Sequence, residues 1–142
     1  MNYFERAQDL IHELLENRRY FHAHAEVGLH MPKAKAYVMK KLSEYGLEPR
    51  ECGEGVTATL GHGGKVILHR ADMDALPMAE ESGLPFACPT GTEAHTCGHD
   101  FHAAMLLTAA KLLKEDEASL GGRIKFMFQP AEETFEGSRN MI

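Results

Sequence analysis

Apolar positions recur at three- and four-residue steps in three stretches of the chain, each of which predicts an amphipathic helix. Phe4, Ala7, Ile11, Leu14 and Leu15 form one stripe, so the first twenty residues read as a helix. Ala34, Val38, Leu42 and Tyr45 share a face over residues 33–45, with Pro32 ahead and Gly46 behind as start and stop signals. Met105, Leu106, Ala109, Ala110, Leu112 and Leu113 line one side of a helix over residues 101–115. Between the helices the pattern shortens. Thr57 to Leu60 reads as a strand, and Gly61-His62-Gly63-Gly64 as a hairpin-like turn. Val66-Ile67-Leu68 is a continuous apolar run, as expected of a strand buried on both faces. After Gly121-Gly122 the chain alternates from Arg123 to Gln129, with Ile124, Phe126 and Phe128 on one face. Residues 75–96 are rich in Pro, Gly and Glu and read as a long surface loop, a length that usually carries function or disorder. A helix between two strands predicts βαβ units, hence an α/β fold with a mostly parallel sheet.

The bulk numbers narrow this picture. The 142 residues suit one domain, and 44% hydrophobic residues suffice for a core. A net charge of −6 argues against nucleic acid, whose phosphates need a basic surface. No run approaches the roughly twenty apolar residues of a membrane helix. Met1 to Arg6 shows no basic run followed by an apolar stretch, so no signal peptide is visible. Cys52, Cys88 and Cys97 make an odd, irregularly spaced set, which fits a reducing, cytoplasmic setting better than a disulfide framework. Residues 136–142 read as the start of a new element, so the chain is expected to be a fragment, a truncated gene product or a deliberately cut piece.

Three clusters could carry chemistry. Cys97-Gly98-His99 can converge a thiolate and an imidazole on one cation if Gly98 turns the backbone tightly, and both groups suit zinc. Spacing alone balances this evenly against a free cysteine beside surface histidines. Glu132-Glu133 follows a strand and Pro130. Two adjacent carboxylates pointing in different directions let one bind a metal while the other takes a proton from water. Taken alone, the pair fits a solvated helix start better, because acids after a proline are good helix grammar. Asp72 and Asp74 follow the strand at 66–68, at the edge where α/β proteins place their sites, and only one of them is expected to face a site. His12, His22, His24 and His30 read as ordinary polar residues, although His24-Ala25-Glu26 could position a loop. Cys52 and Cys88 have no partners at ligand spacing, and the methionines read as core filler.

Taken together the clusters resemble the M20 metallopeptidases, in particular the amidohydrolase branch that holds hippurate, N-acyl-amino-acid and auxin-conjugate hydrolases. The stretches that carry the resemblance are Arg18-Arg19-Tyr20-Phe21-His22 with Glu26-Val27-Gly28, Arg70-Ala71-Asp72-Met73-Asp74-Ala75-Leu76-Pro77, His95-Thr96-Cys97-Gly98-His99-Asp100 with His102, and Phe128-Gln129-Pro130-Ala131-Glu132-Glu133. They span nearly the whole chain in the family's order. The resemblance implies that residues 1–142 are the N-terminal portion of a three-layer α/β/α zinc-peptidase-like catalytic domain with a mixed, mostly parallel sheet. It implies Cys97, His99 and Glu133 as metal ligands and Glu132 as the general base that activates water and passes its proton to the leaving amine. Asp74 matches an aspartate that orients a ligand in related branches. Asp72 stands where those branches have a histidine ligand, and Ala25 replaces a common proline. The implied cofactor is a pair of divalent metals, Zn or Mn, with Ni or Co as variants. The implied substrate is an N-acyl amino acid or small peptide-like amide, and the implied assembly a homodimer or homotetramer, with no nucleic-acid or membrane partner. Family members are much longer. Their inserted lid domain, their C-terminal half and their further histidine ligands have no counterpart here. The resemblance therefore leaves two readings: a hydrolase, or a catalytically incomplete chain acting as a metal-binding or self-associating module.

Overall fold

The computed structural model describes all 142 residues. In chain order the elements are α1 (Tyr3–Asp9), α2 (Ile11–Ala23), α3 (Pro32–Glu44), β1 (Arg50–Cys52), β2 (Gly55–Gly61), β3 (Val66–Asp72), α4 (His99–Glu115), a single 3-10 turn (Glu117–Ser119), β4 (Arg123–Gln129) and α5 (Gly137–Asn140). The predicted first helix is two helices. The chain breaks at the buried Leu10, whose N–H bonds back to Arg6 and Ala7 while its carbonyl starts α2 at Leu14. Helix α3 ends as expected at Gly46, which takes a φ of +80°, and the Leu47 N–H reaches back to the Leu42 carbonyl.

The α/β class holds, and the sheet is mixed, in the order β1-β2-β4-β3. Only β3 and β4 run parallel. The β1–β2 and β2–β4 pairings are antiparallel, so the expected parallel majority is reversed within this chain. The turn after Gly61 is not a hairpin, because β4 inserts between β2 and β3. Glycines make room for that insertion: a Cβ on Gly61 would stand 2.3 Å from the Gly122 carbonyl oxygen, and one on Gly122 would stand 2.7 Å from that of Lys65.

One face of the sheet carries the core. Val56, Ala58 and Leu60 of β2 and Ile124, Phe126 and Phe128 of β4 alternate inward and pack with Val38, Leu42, Ala103, Leu107 and Ala110 from the helices. Burying each of the two phenylalanines contributes about 1.5–3 kcal/mol. The opposite face bears Thr59, Arg123 and Lys125, all exposed. The chain thus shows a sheet and one helical layer of the expected three. Val66, Ile67 and Leu68 are not buried on both faces. They lie on the edge strand and are 51%, 60% and 55% exposed. A continuous apolar run cannot distinguish a central strand from an edge strand whose outer side has no cover. No helix is long and apolar enough to cross a membrane.

Candidate metal centre

The ends of three elements, β3, β4 and α4, meet at one edge of the sheet. Because β3 and β4 are parallel, Asp72 and Gln129 pair at their carboxyl ends, and the Met73 N–H extends the ladder to the Gln129 carbonyl. Asp74 follows β3, Glu132 and Glu133 follow β4, and α4 begins at His99, two residues after Cys97. Gly98 takes a φ of +92° just before that helix. A side chain there would meet nothing within 4 Å, so conformation, not space, asks for glycine. After β4, the buried Ala131 is also left-handed, with a φ of 47°. Its carbonyl takes the N–H groups of Glu136 and Gly137, which turns residues 132–135 back over the site. The glutamates therefore sit in a turn and not at a helix start. A non-glycine residue held in this region stores about 1–2 kcal/mol of strain and puts two adjacent carboxylates on one target.

That target is His99. Its Nδ1 lies 2.9 Å from the Asp74 carbonyl and 3.2 Å from Asp74 Oδ1, so Nδ1 donates and Nε2 is left as the outward lone pair. Around Nε2 stand Asp72 Oδ1 at 3.6 Å, Glu132 Oε2 at 3.7 Å and Glu133 Oε1 at 3.7 Å. The two glutamates thus converge instead of diverging. Both aspartates also border the site, where one was expected. Asp74 Oδ2 accepts the Glu133 N–H at 3.0 Å, while Asp72 accepts from Arg70 at 2.7 Å and pairs with His102 Nδ1 at 2.7 Å.

The expected ligand set is brought together. Donor atoms of Cys97, His99 and Glu133 lie within 4.8 Å of one another, and those of Asp72, His99 and His102 form a second such set sharing His99. Thiolate, imidazole and carboxylate form a donor set suited to zinc or another divalent transition metal. Glu133 Oε1 is buried without a protein hydrogen-bond partner, so its lone pairs are open to a cation or a water. The electrostatics agree. The Cys97 thiol is pushed up by its hydrogen bond to Glu133, then by burial and the surrounding carboxylates. Burial pushes His99 down, but the Asp74 hydrogen bond and the Asp72, Asp74 and Glu133 charges reverse this and raise it. Burial also works against the Asp74 carboxylate, yet hydrogen bonds from His99 and the Glu133 and Glu132 backbone hold it low. Three carboxylates crowded on one nitrogen repel each other, and a dication would relieve that repulsion.

One residue read as ordinary is not. His22 is buried between Asp100 and Glu80, its Nδ1 2.7 Å from one and its Nε2 2.8 Å from the other. Its spacing of one turn from Arg18 was the available signal. His95 is buried with its Nδ1 unpartnered, and burial pushes its pKa down to about 4, so it is neutral at pH 7. Glu26 does position a loop: its carboxylate takes the N–H groups of Lys33 and Ala34 at the start of α3. His12 is exposed, Cys52 and Cys88 form no disulfide, and His24 stacks on Tyr20.

Known proteins bear on this geometry. The chain is 42% identical over 134 residues to an N-acetyl-L-cysteine deacetylase of Bacillus subtilis, covering 92% of this chain and 32% of that protein. It is 42% identical over 124 residues to an N-acyl-L-amino acid amidohydrolase of Geobacillus stearothermophilus, covering 84% and 34%. The crystal structure of a dinuclear metal-binding peptidase of the M20 family from Bacillus subtilis superposes with a TM-score of 0.89 at 36% identity, over 94% of this chain and 39% of that one. The chain thus spans about a third of the length of the curated relatives it matches. Residues 68–142, which hold every donor of both clusters, match the profile of Peptidase family M20/M25/M40. With the fold, the donor set and these relatives in agreement, the chain belongs to Peptidase family M20/M25/M40.

Proposed function

We propose that the protein hydrolyses the amide bond of N-acyl amino acids, with Cys97, His99 and Glu133 holding a divalent cation and Glu132 acting as general base. The observation that carries this reading is the convergence of these donors beside a second carboxylate that still reaches solvent, since the Glu132 side chain is 35% exposed. Zinc or manganese is the favoured cation. When bound, it would polarise the scissile carbonyl and make water a better acid. Glu132 takes the proton of the attacking water and delivers it to the departing amine nitrogen. Asp74 holds His99 Nε2 forward and fixes the Glu133 backbone, so both donors are pre-aimed. The acyl-amino-acid substrate class is supported by the relatives, which are named for N-acetyl-L-cysteine and N-acyl-L-amino acids.

The test is acid release from N-acetyl amino acids, N-acetyl-L-cysteine among them, by the full gene product carrying this sequence. Activity should require an added divalent cation. Glu132→Gln should lower it about 100- to 10,000-fold while cation binding persists. Full activity in Glu132→Gln would sink the reading.

A second reading, a metal-binding or self-associating module without catalysis, is favoured by the exposed apolar edge at Val66, Ile67 and Leu68. It requires these 142 residues to bind a cation and form assemblies in sedimentation while leaving amides intact.

A further inference from the structure

Beside the cation cluster lies a buried ionic array that takes no part in the proposed hydrolysis. Arg18 and His22, one turn apart on α2, both reach Asp100 Oδ2, at 2.8 Å from Nε and 2.7 Å from Nδ1. The other nitrogen of His22 lies 2.8 Å from Glu80 Oε1, and Glu80 Oε2 accepts the Cys88 N–H at 3.0 Å. The side chains of Asp100, Glu80 and His22 are 1%, 6% and 7% exposed. The Arg18 guanidinium lies over the Phe101 and Phe86 rings, 4.4 and 5.0 Å from their centroids. One imidazole therefore joins three segments: α2, the long loop through Glu80, and the first turn of α4 through Asp100.

Burying so many ionic groups is poor value as stabilisation, because desolvation offsets much of the attraction. Its physical return is a fixed geometry, since His22 meets both Asp100 and Glu80 only in one arrangement, although the Arg18 Nε beside Asp100 is ion-paired without a formed hydrogen bond. One segment beside the array lacks backbone fixing of its own. No backbone–backbone hydrogen bond holds residues 95–97 between the Leu76–Ala94 bridge and Gly98, the residue before α4. That stretch carries Cys97 into place beside His99. The array clamps it from both sides, at Glu80 in the loop before it and at Asp100 after it.

We propose that His22 is a positioning residue: by bridging Asp100 and Glu80 it holds the segment bearing Cys97 and His99 in the geometry that takes up a divalent cation. This rests on the cation reading of Cys97, His99 and Glu133. His22 itself touches neither cation nor substrate.

The experiment compares the wild-type chain with His22→Ala and Glu80→Gln. Amide hydrogen exchange without metal reads the segment directly, and Co2+ titration reads the site through the thiolate-to-cobalt absorption band. Exchange at residues 95–101 should rise at least about tenfold in both variants while β2 and β4 keep their protection. The Co2+ affinity should fall about 10- to 100-fold with a weakened thiolate band, the range for groups that orient ligands. A merely structural role would instead speed exchange across the whole sheet. Unchanged local exchange and unchanged Co2+ affinity would overturn the proposal, as would uniform loss of protection. If His22→Ala does not fold, Glu80→Gln decides by the same readouts, because it leaves the α2–α4 contact through Asp100 in place. If the wild type gives no cobalt band, the cation reading fails, and local exchange still decides whether His22 positions the segment.

Discussion

Asp74 accepts from the His99 ring through Oδ1 and from the Glu133 N–H through Oδ2, so one carboxylate orients two of the three proposed cation donors. The same crowding sets the proton balance of the site. Without a cation, Cys97 and His99 both hold their protons to higher pH than free side chains, for the reasons of hydrogen bonding and charge given above. A cation must displace those protons, so binding should tighten as pH rises. Each displaced proton adds up to about a tenfold gain in Zn2+ affinity per pH unit until that group has titrated. Isothermal titration of Zn2+ in the apo chain at a series of pH values checks this. Affinity that is flat or falls with rising pH would show that Cys97 and His99 are not the donors. At this scale much was legible, because Cys97, His99, Glu132 and Glu133 sit in short contiguous motifs. The bridging place of His22 was not. It depends on Glu80 and Asp100, 58 and 78 residues away in sequence, meeting at one ring.

Among the elements, α2, α3 and α4 were readable because their apolar stripes face one core. The break at Leu10 was not, since no proline or glycine marks it. It follows from tertiary contacts of α1, where Tyr3 bonds Asp116 and Arg6 pairs with Glu115. The strand order was hidden too. Gly61 and Gly122 become informative only once their segments are known to pass within contact distance. What joins the helices is Glu13 on α2, which accepts from Lys41 on α3, from Tyr45 just after α3, and from Lys111 on α4. Burial pushes its carboxyl up, but these hydrogen bonds outweigh burial and hold it down at about 2. A carboxylate lowered on folding contributes stability fully above its unfolded pKa of about 4.5. That contribution is lost as pH falls toward 2. Glu13→Gln should therefore lower stability at pH 7 by on the order of 2 kcal/mol, after discounting for partial exposure. It should also flatten the acid limb below pH 4.5. Urea midpoints across pH measure both, and a variant that keeps the wild-type acid limb would show that Glu13 does not cause it.

Over the whole molecule, the site lies where the carboxyl ends of β3 and β4 and the start of α4 converge. That position is set by the one parallel pairing of the sheet. The α/β class and the site edge could be read from the sequence, because a helix between two strands with acidic ends suffices for both. The antiparallel majority and the uncovered β3 edge could not, since both depend on which strands neighbour each other. The central claim is that Cys97, His99 and Glu133 hold one divalent cation. X-ray absorption at the zinc edge of the Zn2+-loaded chain tests it most directly. The expected result is one sulfur near 2.3 Å with nitrogen and oxygen neighbours near 2.0–2.1 Å, and loss of the sulfur in Cys97→Ser. A shell of nitrogen and oxygen alone, identical in the wild type and Cys97→Ser, would contradict it.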